Sequence, residues 1–214
     1  MKKRSEWKLG GVYLVTSMKR PVSRLVDIVT AALEGGVSMV QFRDKGEYPN
    51  QERTEAARGI RSVCNHHGVP FLVNDDPAFA RRVGADGVHV GRDDPSPREA
   101  SAVLGEHAVV GATVYGSPEE EAAAEAAGAD YIAVGTFFPS PTKPEKAPLP
   151  LSVLDEVVAR SRLPVFAIGG ITADQARILA NHGVAGVAVV SAIMDADDPQ
   201  WAAEQIVRAF QRGP

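Results

Sequence analysis

The chain has 214 residues, of which 44% are hydrophobic and 23% charged, with a formal net charge of −4. These values suit a globular chain long enough to bury a core unaided, and they exclude disorder, a collagen-like repeat and a disulfide scaffold. The mild negative charge gives no overall attraction for nucleic acid or an anionic membrane, so any polyanionic partner should be small and held in a local basic pocket. Cys64 is the sole cysteine, which rules out an internal disulfide and a multi-cysteine metal site and is compatible with a reducing compartment. The opening MKKRSEWKLGG is basic but has no apolar stretch behind it, and no apolar run approaches the roughly 18 residues of a membrane span. The expectation is a soluble, cytoplasmic protein.

In chain order, short β-branched runs alternate with longer amphipathic stretches. The strands are predicted over 11–15, 38–42, 69–73, 87–90, 108–111, 131–134, 165–168 and 186–190. The helices are predicted over 22–34, 51–66, 77–83, 97–104, 118–127, 151–159, 173–181 and 199–210. Four helix starts carry a capping side chain directly before a proline: Asp76, Ser96, Ser117 and Asp198. The proline's missing N–H costs nothing at the first helical position. Glu120, three residues after Ser117, predicts a capping box there. Gly35, Gly68, Gly84, Gly105, Gly128 and Gly183 each follow a helical stretch, as left-handed caps would.

Three segments share one outline, GADGVHVG at 84–91, GADYIAVG at 128–135 and GVAGVAVV at 183–190, each a helix end feeding a strand. The nearly continuous apolar strands fit a parallel sheet covered by helices. Eight such units of about 27 residues predict a single-domain (β/α)8 TIM barrel over 1–214, with 1–10 a short N-terminal extension. A doubly wound open sheet is the structural alternative, though no GxGxxG follows an early strand.

In a barrel, the loops after the strands form the working face. The second strand runs into Gln41, Arg43 and Lys45 at period two, three long donors that suit an anion. Read alone, they also fit a charged strand end compensated by Asp44. The third strand ends in Asn74-Asp75-Asp76, and the fourth leads through His89 and Arg92 to Asp93 and Asp94. Carboxylates after adjacent strands can meet across the mouth and suit Mg²⁺ completed by substrate phosphates. Equally, Asp76 reads as a helix cap and Asp93 or Asp94 as a solvated loop charge. Thr113 follows the fifth strand as either a pocket hydroxyl or a plain loop residue.

The sixth strand opens into a proline-rich loop carrying Ser140, Thr142 and Lys143, which fits either a lid over a phosphorylated ligand or an exposed surface loop. Gly169 and Gly170 after the seventh strand, in register with Val190 and Ser191 after the eighth, match the place where barrels hold phosphate. His89 lies along the fourth strand, able to orient a loop or to sit satisfied inside the barrel. The other histidines read as surface or helix-end residues, and Cys64 as a small buried apolar side chain.

Taken together, the ordered blocks QFRDK (41–45), ND (74–75), ADGVHVGRDD (85–94), GAT (111–113), ADYIAVGTFFPSPTK (129–143), FAIGGI (166–171) and GVAVVSAI (186–193) resemble the thiamine-phosphate synthase and thiazole tautomerase superfamily. The resemblance runs from Tyr13 to the last helix. It implies a transferase that joins hydroxymethylpyrimidine diphosphate to hydroxyethylthiazole phosphate and releases diphosphate. Gln41, Arg43, Lys45 and Asn74 would hold the pyrimidine diphosphate, and Asp75 and Asp94 would bind Mg²⁺ bridging its phosphates. Lys143 would assist the leaving diphosphate, with Arg43, Lys45 and Thr113 also placed in the catalytic set. Ser140 and Thr142 would lie near the thiazole, whose phosphate would meet Gly170 and the backbone around Val190 and Ser191.

The chain departs from the usual pattern at Arg92, commonly Gln, and at Asp76, often Arg. Thr113 stands in place of Ser and Ser140 in place of Thr, and Tyr115 lies where His or Asn is frequent. Arg92 is expected to add a phosphate contact or to pair with Asp93. Because the thiazole nitrogen attacks with its own lone pair, the implied reaction needs no protein nucleophile. Two other readings stay open: a thiazole tautomerase on the same barrel, and a non-catalytic phosphate-binding protein. The partners implied are small phosphorylated molecules, with no nucleic acid or membrane, and a homo-oligomer is compatible.

Overall fold

A computed structural model describes residues 6–17, 19–140 and 147–212. Eight parallel strands, β1 (Gly11–Val15), β2 (Met39–Phe42), β3 (Phe71–Asn74), β4 (Gly87–Val90), β5 (Val109–Val114), β6 (Tyr131–Gly135), β7 (Val165–Ile168) and β8 (Gly186–Val189), pair in sequence order, and β8 returns to β1. Closure removes both sheet edges and eliminates the open-sheet alternative. The surrounding helices are α1 (Val22–Glu34), α2 (Asn50–His67), α3 (Pro77–Val83), α4 (Pro97–Leu104), α5 (Pro118–Ala126), α6 (Leu151–Arg160), α7 (Ala173–Ala180), α8 (Ser191–Met194) and α9 (Pro199–Gln211). Each predicted strand and helix is present with small shifts at its ends. The short α8, one turn straight after β8, was not anticipated.

Alternate strand residues divide the core in two, because successive Cβ atoms point to opposite faces. Val12, Leu14, Val40 and Phe42 face the helices in the larger cluster. Tyr13, Met39, Leu72, Val109, Tyr131 and Phe166 fill the barrel interior, with Trp7 and Leu9 packed beside them. Two glycines make room for the large rings: a Cβ at Gly111 would collide with Tyr131, and one at Gly186 with Phe166. Tyr13, Tyr131 and Phe166 meet edge to face at centroid separations of 5.2–5.9 Å, a geometry favoured by the ring quadrupole.

Asp76, Ser96, Ser117 and Asp198 all accept a backbone N–H at their helix starts, as expected. The predicted box at Ser117 is only half formed: Ser117 accepts from Glu120 N–H, but the Glu120 carboxylate turns to the Tyr115 N–H at 2.8 Å and to Arg92. A complete box occurs instead at Ser96–Glu99, and at the start of α7 the Gln175 side chain accepts the Thr172 N–H and hydroxyl. Gly35 is likewise not a left-handed cap, having φ −75°, and the positive φ falls on Gly36. A Cβ on Gly35 would strike Gln200 and Ala203, so close approach of α9 explains this glycine. Gly68 and Gly84 are left-handed caps, while Gly105, Gly128 and Gly183 have positive φ. No helix among the described residues is long and apolar enough to cross a membrane.

Candidate active site

The inward parity of the strands runs up to their C-terminal ends, where a cavity of about 380 Å³ opens. Gln41, Asn74, His89, Thr113 and Val190 lie two residues beyond the interior residues Met39, Leu72, Gly87, Gly111 and Ala188, and all five line it. The site is therefore the upper layer of the barrel's own packing. Of the residues singled out from sequence, Gln41, Arg43, Lys45, Asn74, Asp75, Asp94, Thr113, Ser140, Gly170, Val190 and Ser191 are brought together here. Thr142 and Lys143 lie outside the described residues.

At the end of β3 the chain turns sharply. Asp75 has φ 64°, a left-handed conformation that a residue with a Cβ rarely adopts. Its N–H donates to the His89 carbonyl at 2.8 Å, and the next N–H, that of Asp76, to the Asn74 carbonyl at 2.8 Å. This turn sends adjacent carboxylates apart: Asp75 into the pocket, Asp76 out to cap α3 and meet Arg53 at 3.2 Å. Across from Asp75, the Asp94 carboxylate accepts the Gly91 N–H at 2.7 Å.

Lys45 pairs with Asp75 at 2.5 Å. Burial works to raise the Asp75 carboxyl, but hydrogen bonds from Lys45 and Asp94 and the nearby positive charge hold it below the ordinary range. The Asp94 carboxyl is pushed up by burial and by Asp75 beside it. Neighbouring carboxylates disfavour each other's charge, which a cation between them relieves. Among the described residues, no group of three or more His, Cys, Asp or Glu is gathered as a metal centre. Two hard oxygen donors on an open pocket nevertheless fit a Mg²⁺ ion whose remaining positions are filled by water and substrate phosphate.

Gln41 differs from its sequence reading. Its side chain is buried, and Nε2 donates to the Tyr13 hydroxyl inside the barrel at 2.5 Å, so it is not simply a third anion donor beside Arg43 and Lys45. Arg92 differs too: it pairs with Glu120 rather than Asp93 and lies 4.4 Å from the Tyr115 ring centroid. Asp44 points away from both neighbours to Arg53 at 3.3 Å. His89 sits satisfied in the barrel, bonded to Tyr131 and Thr113.

Two residues that the sequence did not single out, Thr16 and Arg20, tie the loops around the mouth. Thr16 Oγ1 accepts the Arg43 N–H at 2.9 Å, holding the β1 end against the β2 end. Arg20 donates to the carbonyls of Ser17 and Met194, joining the β1 loop to the end of α8. A Cβ at Gly169 would strike Thr136, and one at Gly170 the carbonyls of Phe138 and Pro139. Both have positive φ, at 104° and 65°, so only glycine allows the loops after β6 and β7 to touch in this way.

The family model described as thiamine monophosphate synthase matches residues 12–193. The chain belongs to that family. It is 46% identical over 205 residues to a thiamine-phosphate synthase of Thiobacillus denitrificans, covering 96% of this chain and 97% of the relative. It is 38% identical over 203 residues to one of Thermoplasma acidophilum, covering 95% and 93%. A solved thiamine phosphate pyrophosphorylase from Pyrococcus furiosus superposes with a TM-score of 0.83 at 35% identity, over 94% of this chain and 95% of that one. A 3-hexulose-6-phosphate synthase from Salmonella typhimurium, at 18% identity and TM-score 0.70 over 94% and 99%, shares the fold alone.

Proposed function

We propose that the chain joins hydroxymethylpyrimidine diphosphate to hydroxyethylthiazole phosphate and releases diphosphate, with its chemistry carried by the residues at the barrel mouth. The enzyme is a transferase of its family. The observation that supports this site is one cavity in which the paired carboxylates Asp75 and Asp94 stand beside the cations Arg43 and Lys45. The C–O bond to diphosphate breaks with its electron pair leaving on oxygen. The thiazole nitrogen then supplies the pair that forms the new C–N bond, so no protein base is needed. The barrier lies in charge separation, which preorganised cations lower.

In this assignment Arg43 and Lys45 hold the diphosphate, with Asn74 beside them, and Gln41 and Thr113 face the pyrimidine. Lys143 assists diphosphate departure, Ser140 and Thr142 border the thiazole, and Gly170 with the Val190–Ser191 backbone receives its phosphate. Asp75 and Asp94 would hold Mg²⁺, which when bound neutralises diphosphate charge. Lys45 then has two roles: it screens Asp75 before substrate arrives and contacts diphosphate afterwards. The whole chain acting as one domain, a cytoplasmic setting and a homo-oligomeric state belong to the same proposal.

The test mixes purified protein with both substrates, with and without Mg²⁺, and follows thiamine phosphate by mass spectrometry. Product that depends on Mg²⁺ is expected. Folded protein that binds both substrates and yields no product would overturn the reading.

A further inference from the structure

Along the floor of the pocket runs an unbroken line of hydrogen bonds, buried in all but its last link. Gln41 Nε2 reaches the Tyr13 hydroxyl at 2.5 Å, and Tyr13 reaches the Tyr131 hydroxyl at 2.9 Å. Tyr131 meets His89 Nδ1 at 2.9 Å, and His89 Nε2 meets Thr113 Oγ1 at 2.8 Å. Both tyrosines are fully buried, and burial pushes both phenols up, so each keeps its proton. Thr113 lines the cavity, whereas Tyr131 does not.

With the Gln41 amide nitrogen as the atom facing Tyr13, counting protons gives this line a direction. An amide nitrogen only donates, so Tyr13 accepts from Gln41 and must pass its own proton to Tyr131. Tyr131 then donates to Nδ1 of His89, which leaves the histidine proton on Nε2, aimed at Thr113. With one lone pair of Thr113 Oγ1 occupied, its own proton is free to point into the cavity. The opposite direction would make Tyr13 accept twice and strand its proton in the barrel interior, at the cost of an unsatisfied buried donor.

We propose that His89 is a positioning residue: the buried Gln41–Tyr13–Tyr131 relay holds it as the Nε2–H tautomer, and it fixes the Thr113 hydroxyl as a hydrogen-bond donor toward the substrate. The ligand group this recognises is an acceptor, such as an unprotonated ring nitrogen. The substrate part of the inference rests on the function proposed above, while the tautomer rests only on the geometry.

The tautomer is read directly by nitrogen-15 NMR of histidine-labelled protein, with the His89 signals identified by their loss in His89→Gln. An unprotonated Nδ1 and a protonated Nε2 are expected in the unmodified protein, and a protonated Nδ1 would overturn the proposal. This measurement needs no turnover, so it stands even if no thiamine phosphate forms.

Kinetics test the consequence. Tyr131→Phe breaks the relay without touching the pocket, and should raise KM for the pyrimidine diphosphate about tenfold, the worth of roughly one neutral hydrogen bond. KM for the thiazole phosphate should be unchanged. In a Thr113→Val background the same change should have no further effect, whereas Thr113→Ser should restore it. An undiminished loss from Tyr131→Phe in the Thr113→Val background would overturn the role of His89 acting through Thr113.

Discussion

Replacing Arg53 should unsettle the chain that carries Arg43 and Lys45, although Arg53 is not itself placed in the pocket. Its guanidinium leaves α2 to meet Asp44 at 3.3 Å and Asp76 at 3.2 Å, and it lies 3.8 Å from the Phe79 ring centroid. The Asp44 side chain is only 2% exposed. It accepts the backbone N–H groups of Glu47 at 2.8 Å and Tyr48 at 3.3 Å, which curl the chain just after Lys45. Arg53→Leu keeps most of the apolar volume but strands this carboxylate, a loss of about 3–5 kcal/mol for a buried pair broken on one side. The Phe79 contact adds roughly 0.5–1 kcal/mol, and the more exposed Asp76 pair adds about 0–1 kcal/mol.

Urea unfolding followed by circular dichroism should therefore show a lower midpoint at unchanged slope, equivalent to a stability loss of about 3.5–7 kcal/mol. The double variant Arg53→Leu/Asp44→Asn should recover part of it, since the stranded charge is gone. A loss below about 1 kcal/mol, or strictly additive single and double variants, would refute the idea that Asp44 depends on Arg53.

Asp94→Ala should lower turnover by about 100-fold or more while costing about 1 kcal/mol of stability, the lost bond to Gly91 N–H. Parallel loss of folding would remove its assignment to the metal. Gly111→Ala should destabilise the barrel by at least about 1–3 kcal/mol, because the new Cβ meets the Tyr131 ring, and an unchanged melting temperature would contradict the interior packing described. Cys64 is buried, and burial together with the nearby Asp86 pushes its thiol up, so native protein should not react with a disulfide reagent until denaturant is added. Rapid reaction of folded protein would show that this side of α2 opens.

Much of the site was legible because a parallel barrel puts chemistry at strand ends. Gln41, Arg43 and Lys45 stand at period two, and Asn74, Asp75 and Asp94 follow adjacent strands. Once eight βα units are recognised, these residues fall on one face with no further information. What escaped were partnerships between distant segments. Glu120 three residues after Ser117 is indistinguishable in sequence from a box partner, yet its carboxylate is taken by Tyr115 and Arg92. Gly35 looked like a cap and proved to be a contact point for α9.

The sequence by itself determined the alternation of strands and helices, the capped helix starts and the loops that carry charge, since each depends on a few neighbouring residues whose conformational preferences act locally. Only the tertiary structure decided that the sheet closes, that Asp75 turns inward while Asp76 turns out, and that Gln41 faces Tyr13 instead of serving as a simple anion donor. Tyr13 and Tyr131 are 118 residues apart and meet at 2.9 Å because the inward pleats of β1 and β6 share the barrel interior. Such a contact depends on closure and register, which no local pattern encodes.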